Sequence, residues 1–370
     1  MNFTRQSITQ LRTVNVGHRQ NLNFLDLVKF LCAALVVTIH VPPLNDVSTV
    51  LNFAVVNYAA RVAVPLFFVS AAYFVFLKAF DASEKNFGIN TNVLLKYAAR
   101  IFRLYVIWSL IYLPFVYLDM YRFAGTFHFF YFTKTILINF VFSSAYGHLW
   151  YLNAICQTYL LIVLLLKAKI KPPVIAAFAL IMYLLGLTTQ SWYGLFEPIL
   201  STAPLQAVLI PLKALFKTAR GALCEGLLFT VMGMFFAKYK ICLKPKFAYI
   251  CFAVSALLFA AEAFTLSRLE WIKEYDMYLG LIPTVFFMFY ICTNTKLPDS
   301  RIYFKMRNTS ALIYFSHMLF AECLILIPHL KTVFRTSISQ YLFTYVCSLL
   351  LSFAILKLSE TLPFMKKLYK

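Results

Sequence analysis

The chain has 370 residues, 62% of them hydrophobic and only 13% charged, with 39 Phe and a mean hydropathy of +0.76, a composition that excludes an ordinary soluble globular protein and calls for a bilayer. Its net charge of +20 needs no nucleic-acid partner, because basic residues collect at the cytoplasmic ends of membrane helices. The eight cysteines lie in or beside apolar segments without a Cys-x-x-Cys pair, so neither a disulfide framework nor a zinc site is indicated and no metal is expected.

In chain order, residues 1–23 read as a basic cytoplasmic segment carrying Arg5, Arg12 and Arg19. No small-residue cleavage site follows the first apolar run, so that run is expected to stay as a membrane helix. Hydropathy predicts ten spanning helices, at 24–42, 52–77, 101–119, 149–166, 173–189, 222–238, 247–266, 276–293, 309–327 and 339–356. The expected fold is therefore an all-α polytopic membrane protein, a bundle of about ten transmembrane helices forming one domain over 24–357, with a basic tail at 358–370. With both termini cytoplasmic, most of the 34 Lys and Arg fall on the inside, as the positive-inside rule requires. The long outer segments 120–148 and 190–221 are aromatic or apolar in patches and are expected to be amphipathic or re-entrant. Phe127, Phe129, Phe130, Trp192 and Tyr193 suit the headgroup level.

The first helix carries Leu25-Asp26-Leu27-Val28-Lys29, an apolar run and then His40. Eleven helical steps return to within about 20° of the starting direction with a rise of about 16 Å, so Lys29 and His40 share one face. Ionisable groups inside a membrane are costly and face a bundle interior or a wet path. An imidazole at the outer end can take a proton from a hydroxyl or accept an acyl group itself, with Lys29 offering charge to phosphate or thioester oxygens. The plainer alternative is a snorkelling Lys29 paired with Asp26 and a solvated helix-end His40. Arg61, in the second apolar segment, needs a carboxylate, a carbonyl or water, and Glu225, Glu262 and Glu322 are intramembrane carboxylates that would supply a partner or a proton path.

Lys96, Arg100 and Arg103 precede the third predicted helix. On the cytoplasmic side this cluster is suited to phosphates, as on coenzyme A, or simply to anionic lipid. His148 and Trp150 open the fourth helix from the His40 side, where they would orient an acceptor or sit in an aromatic belt. His317 falls in the ninth helix at cytoplasmic-to-middle depth, where a polar residue hydrogen-bonded within the bundle is the plainer reading.

At these residues the chain resembles the acyltransferase family 3 of bacterial membrane proteins, which O-acylate surface polysaccharides, lipid-linked sugars and peptidoglycan. The resemblance covers nearly the whole chain. It rests on Leu-Asp-x-x-Lys29 with His40 at its spacing, Val64-Pro65-Leu66-Phe67-Phe68-x-Ser70, Arg100-x-x-Arg103, His148-Leu149-Trp150, and Asn308-Thr309-Ser310-x-x-Ile313-Tyr314-x-x-x-His317. It implies that cytoplasmic acyl-CoA approaches the Arg100 and Arg103 side and that its thioester reaches His40, with transfer near the outer face. Lys29 stands where many members carry Arg, Ser70-Ala71 replaces a Ser-Gly pair, and no Glu follows Trp150 as in the polysaccharide-acetylating branch.

The expected activity is thus transfer of an acetyl or similar short acyl group from acyl-CoA, acetyl-CoA above all, to a sugar hydroxyl of an envelope glycan or lipid-linked precursor in a bacterial inner membrane. His40 and Lys29 are the catalytic candidates; Arg100, Arg103 and Lys96 the coenzyme-binding ones; His148, Trp150 and Arg61 the acceptor-side ones; His317 and Asp26 stand as further candidates. Lipid surrounds the chain and a homo-oligomer is left open. The alternatives are an exporter of a glycan or lipid-linked sugar, and a non-catalytic sensor or scaffold. Neither inverted repeats nor paired Gly/Pro-broken helices are seen in the sequence.

Overall fold

The computed structural model describes residues 22–80, 88–126, 128–216, 220–239 and 241–370. Most of the N-terminal segment and the Phe127 ring named above lie outside them.

Helix α1 (Asn23–His40) is unbroken, so Lys29 and His40 do lie on one face. It stops at His40 because Val41 precedes Pro42 and takes φ −129°, ψ 84°, outside the helical region that a following proline disfavours. The second apolar segment is not the straight helix expected at 52–77. A short helix (Thr49–Phe53) capped by the Ser48 hydroxyl gives way to a π turn (Ala54–Tyr58) and a 3-10 turn (Ala59–Val62) before α2 (Ala63–Ala79). Helix α3 (Thr91–Ala124) starts from an Asn90 cap and ends on Gly125 at φ 70°, a left-handed conformation open to glycine. Lys96, Arg100 and Arg103 therefore sit on helical turns at i, i+4 and i+7 and share one face.

The segment expected as an outer loop at 120–148 holds α4 (Phe129–Phe142). After a 3-10 turn (Gly147–Leu149) come α5 (Trp150–Lys167) and α6 (Pro172–Thr188). The chain then bends by 86° into Tyr193–Leu200, the turn-back expected of a broken or re-entrant span. A π turn (Ala222–Gly226) leads into α7 (Leu227–Lys238), followed by α8 (Pro245–Arg268), α9 (Leu281–Asn294), α10 (Arg301–Leu326) and α11 (Ser337–Thr361).

All ten predicted segments contain helix. Among the described residues, seven helices or helix runs are long and apolar enough to cross a membrane, or eight if the bent pair counts as one span. Ten crossings are therefore more than the helix lengths support: Leu281–Asn294 and the run through Ala222–Lys238 fall short of the roughly 20 residues a crossing needs.

Helix α1 packs against α10, which also packs along α11; α3 packs on α5, α8 on α9, and α2 on α7. With lipid as solvent, close approach rather than hydrophobic exclusion drives such pairs. Gly233 of α7 marks a close approach to α2, since a Cβ there would lie 2.4 Å from the Val69 carbonyl oxygen and 2.7 Å from Ala72 Cβ. Replacing Gly233 with Ala is expected to push α7 off α2 and to cost ~1–3 kcal/mol. The expected readout is a lower unfolding temperature in detergent, whereas Gly147→Ala, where a Cβ meets nothing within 4 Å, should leave it unchanged.

Candidate functional site

Three histidines far apart in sequence meet at the end of α1. His40 closes α1, His148 lies on the 3-10 turn before α5, and His317 is on α10. Ring centroids are 5.1 Å apart for His40 and His317, 5.0 Å for His148 and His317, and 6.3 Å for His40 and His148. His317 and His148 are buried, at 0% and 1% exposure, whereas His40 is exposed. The cluster thus has one open imidazole backed by two closed ones. The cytoplasmic-to-middle depth expected for His317 is corrected: α10 begins at Arg301 rather than near residue 309, which carries His317 to the level of His40.

The two closed rings are fixed by the backbone of α10. His317 Nδ1 faces the Ile313 carbonyl oxygen at 3.1 Å and His148 Nε2 faces that of Phe315 at 3.3 Å. A carbonyl only accepts, so each of these nitrogens carries the proton. The opposite nitrogens, His317 Nε2 and His148 Nδ1, are buried without a hydrogen-bond partner. The Tyr314 hydroxyl donates to the His148 carbonyl, and Tyr112 and Tyr146 edge the His148 ring at 4.8 and 5.7 Å.

Beside this cluster lies an ion network that acts electrostatically on His40 through Arg61 and Arg220. The partner of Arg61 is Asp276, at 2.6 Å, and not Glu225, Glu262 or Glu322. Asp276 also accepts from Arg220 Nη1 at 3.2 and 3.1 Å. The turns before α2 complete the Arg61 site: its Nε donates to the Val56 carbonyl (3.1 Å) and Nη2 to Asn57, one turn back (2.8 Å). Asp276 lies in the connection between α8 and α9; burial pushes its carboxyl up, but Arg220 and Arg61 beside it hold it below the ordinary carboxylate value. Arg220 lies over the Trp150 ring at 5.1 Å and is the most open member, its side chain 28% exposed against 10% for Arg61. Glu262 instead accepts from the backbone N–H groups of Leu279 and Gly280 and from Trp192, and Glu322 accepts from Tyr146.

At the other end of α1, Asp26 is gripped by Arg307, Nε at 2.8 Å and Nη2 at 2.5 Å. The pairing of Asp26 with Lys29 is therefore corrected: the carboxylate is already engaged by a two-pronged guanidinium from α10, and Lys29 stays close enough only to feel both charges. The tail reaches this end as well. Arg103 donates to the Lys370 carbonyl (3.1 Å) and Trp108 to that of Leu368 (2.9 Å), while Lys370 and Arg307 both lie over the Phe304 ring. Arg100, over Tyr97 at 4.9 Å, Arg103 and Lys96 are exposed. A polar pocket of about 420 Å³, lined by Asn23, Asp299, Ser300, Arg301, Phe304 and Arg307, opens at the same end.

The expected residues thus divide between the two ends of α1. His40, His148, His317, Arg61 and Trp150 gather at one, and Asp26, Lys29 and Arg103 at the other. Sequence reasoning missed Arg220, Asp276 and Arg307. Only Arg307 had a signal, standing directly before the Asn308-Thr309-Ser310 motif. Among the described residues no group of three or more His, Cys, Asp or Glu is arranged to hold a metal ion.

A family model described as an acyltransferase domain matches residues 22–357. Two proteins of Enterococcus faecalis, each named amino-acid racemase, are 26% identical to the chain, one over 353 residues (94% of this chain, 48% of that protein) and one over 265 (72% and 35%). A serine/alanine racemase of Enterococcus gallinarum is 25% identical over 270 residues (72% and 36%). The chain spans less than half the length of each. No solved structure matches it.

Proposed function

Because the chain belongs to the acyltransferase family 3, whose model its residues 22–357 match, we propose that it moves a short acyl group, acetyl above all, from acyl-CoA to a hydroxyl of an envelope glycan or lipid-linked sugar. The proposed setting is a bacterial inner membrane, with the coenzyme entering from the cytoplasm at the Arg100 end. The observation that carries this reading is the open His40 at one end of α1, backed by His148 and His317, with a basic surface at the helix's other end. The racemase activity named for the longer relatives is not carried over, since more than half of each lies beyond the matched part.

In the reaction the acceptor O–H gives its proton to His40 while its oxygen bonds to the acyl carbon. The C–S bond breaks, and the departing coenzyme thiolate takes the proton from His40. A covalent variant has His40 carry the acyl group between the two half-reactions. Arg100, Arg103 and Lys96 hold the coenzyme phosphates, with Arg301 and Arg307 of the neighbouring pocket adding charge; Lys29 stabilises charge along the path. Trp150, with Arg61 and Arg220 behind it, shapes the acceptor side.

The donor end is tested by replacing Arg100 and Arg103 together with Gln. Each charge-assisted contact to phosphate is worth ~1.5–3 kcal/mol, so coenzyme A binding to the purified chain should weaken by ~10²-fold or more, and Arg103→Lys alone should lose less because it keeps the charge but not the fork. Calorimetric titration with coenzyme A reads this directly, and an unchanged affinity in the double variant rules the donor site out.

A further inference from the structure

The buried nitrogens left over in the histidine cluster assign a role that the reaction outlined above does not use. His317 Nε2 and His148 Nδ1 are bare acceptors, because the protons of their neutral rings are committed to the Ile313 and Phe315 carbonyls. Both are closed off from solvent at 0% and 1% exposure and have no partner. Buried acceptors left unsatisfied cost ~1–3 kcal/mol each, so a donor is due at this point. The two cannot serve each other although their centroids are only 5.0 Å apart, since neither has a proton to give on the facing side. His40 is the ring beside them with a proton to offer.

Distance selects which acceptor His40 serves. A ring N–H···N bond of ~2.9 Å places two imidazole centroids about 5 Å apart. The His40–His317 spacing of 5.1 Å meets this and the His40–His148 spacing of 6.3 Å exceeds it. The rings are tilted by 43° and unbonded as they stand, so the bond requires the His40 ring to turn towards His317 Nε2.

We propose that His317 is a positioning residue for His40: its Nε2 accepts the His40 ring N–H, held in place by the Nδ1–H···Ile313 bond, and so fixes the one His40 tautomer whose second nitrogen presents a lone pair to substrate. This rests on the acyltransferase reading for its purpose, because only a base or acyl carrier gains from a fixed lone pair. It follows the rule that the hydrogen bond on one imidazole nitrogen decides what the other is free to do.

The test is the tautomeric state of the rings, read by long-range proton–nitrogen NMR on the full chain in detergent with ¹⁵N-labelled histidine. The chain has six histidines, so single substitutions assign the signals. In the unsubstituted protein His317 is expected as the Nδ1–H form, His148 as the Nε2–H form and His40 as a single form. His317→Met, similar in size but without a strong acceptor, should spread His40 over both tautomers while His148, anchored on Phe315, keeps its own and reports an intact fold. His317→Gln, whose amide oxygen reaches the Nε2 position, should restore a single His40 form. A His40 ring already averaged between tautomers in the unsubstituted protein, or one unmoved by His317→Met, overturns the proposal. Acetyl-CoA turnover is a separate measurement, so the positioning role and the acyltransferase reading fail independently.

Discussion

Replacing His40 with Ala is expected to lower acyl transfer from acetyl-CoA by ~10²–10⁴-fold, the range associated with losing a positioned general base. The fold should survive. His40 is the last residue of α1 and is exposed, so the substitution removes little packing, and stability should fall by no more than the ~1–3 kcal/mol of one buried acceptor left without its donor. Coenzyme A affinity should also hold, because the proposed donor end lies about 20 Å away along the helix from Asp26 to His40. Release of coenzyme A thiol in proteoliposomes, with chromatographic behaviour and unfolding temperature as controls, checks all three. In cells the same substitution should remove acyl groups from envelope glycans, measured by mass spectrometry, without reducing the glycans themselves; loss of the glycans would point to export instead. An His40→Ala chain that keeps more than a tenth of its transfer rate removes His40 from the chemistry.

Much of this arrangement was legible in the sequence, for a physical reason. Hydropathy detects the apolar stretch that a bilayer selects, and Pro42-Pro43 marks where α1 must stop, so the Lys29 and His40 spacing translated directly into a shared helix face. The same signal is blind to polar helical turns that project beyond the hydrocarbon. Helix α3 begins at Thr91 and α10 at Arg301, in each case a stretch whose basic residues depress hydropathy, and so His317 was placed at the wrong depth. The π and 3-10 turns before α2 left no trace because they change the backbone without changing its apolar composition. Long-range ion pairs were also hidden. Asp26 and Arg307 are 281 residues apart, Arg61 and Asp276 215, and nothing local couples them. What the sequence did carry was the expectation that an intramembrane Arg must have a partner.

That partner underlies the second large effect. Asp276→Asn is expected to destabilise the chain by ~3–5 kcal/mol, because removing one member of a buried ion network strands the charges that remain. Asp276 satisfies two guanidiniums at once, Arg61 at 2.6 Å and Arg220 at 3.1 Å, and its side chain is 13% exposed. Arg61 would keep its bonds to Val56 and Asn57, and Arg220 its place over Trp150, but neither substitutes for a counter-charge. The loss should be non-additive: Arg61→Gln in the Asp276→Asn background removes one stranded cation and should recover part of the stability, whereas additive losses would mean that the two residues do not act as a pair. The pH dependence has a definite sign. A carboxyl held below its ordinary value adds stability that is complete above that value, about 3.9 for Asp, and that is lost as pH falls through the lower folded value. Thermal unfolding in detergent should therefore show a constant gap between the unsubstituted protein and Asp276→Asn from pH 7 to pH 5, narrowing only below about pH 4. A gap that closes already between pH 7 and 5 would mean that Asp276 is protonated there and that Arg61 and Arg220, the charges nearest His40 on this side, are held by something else.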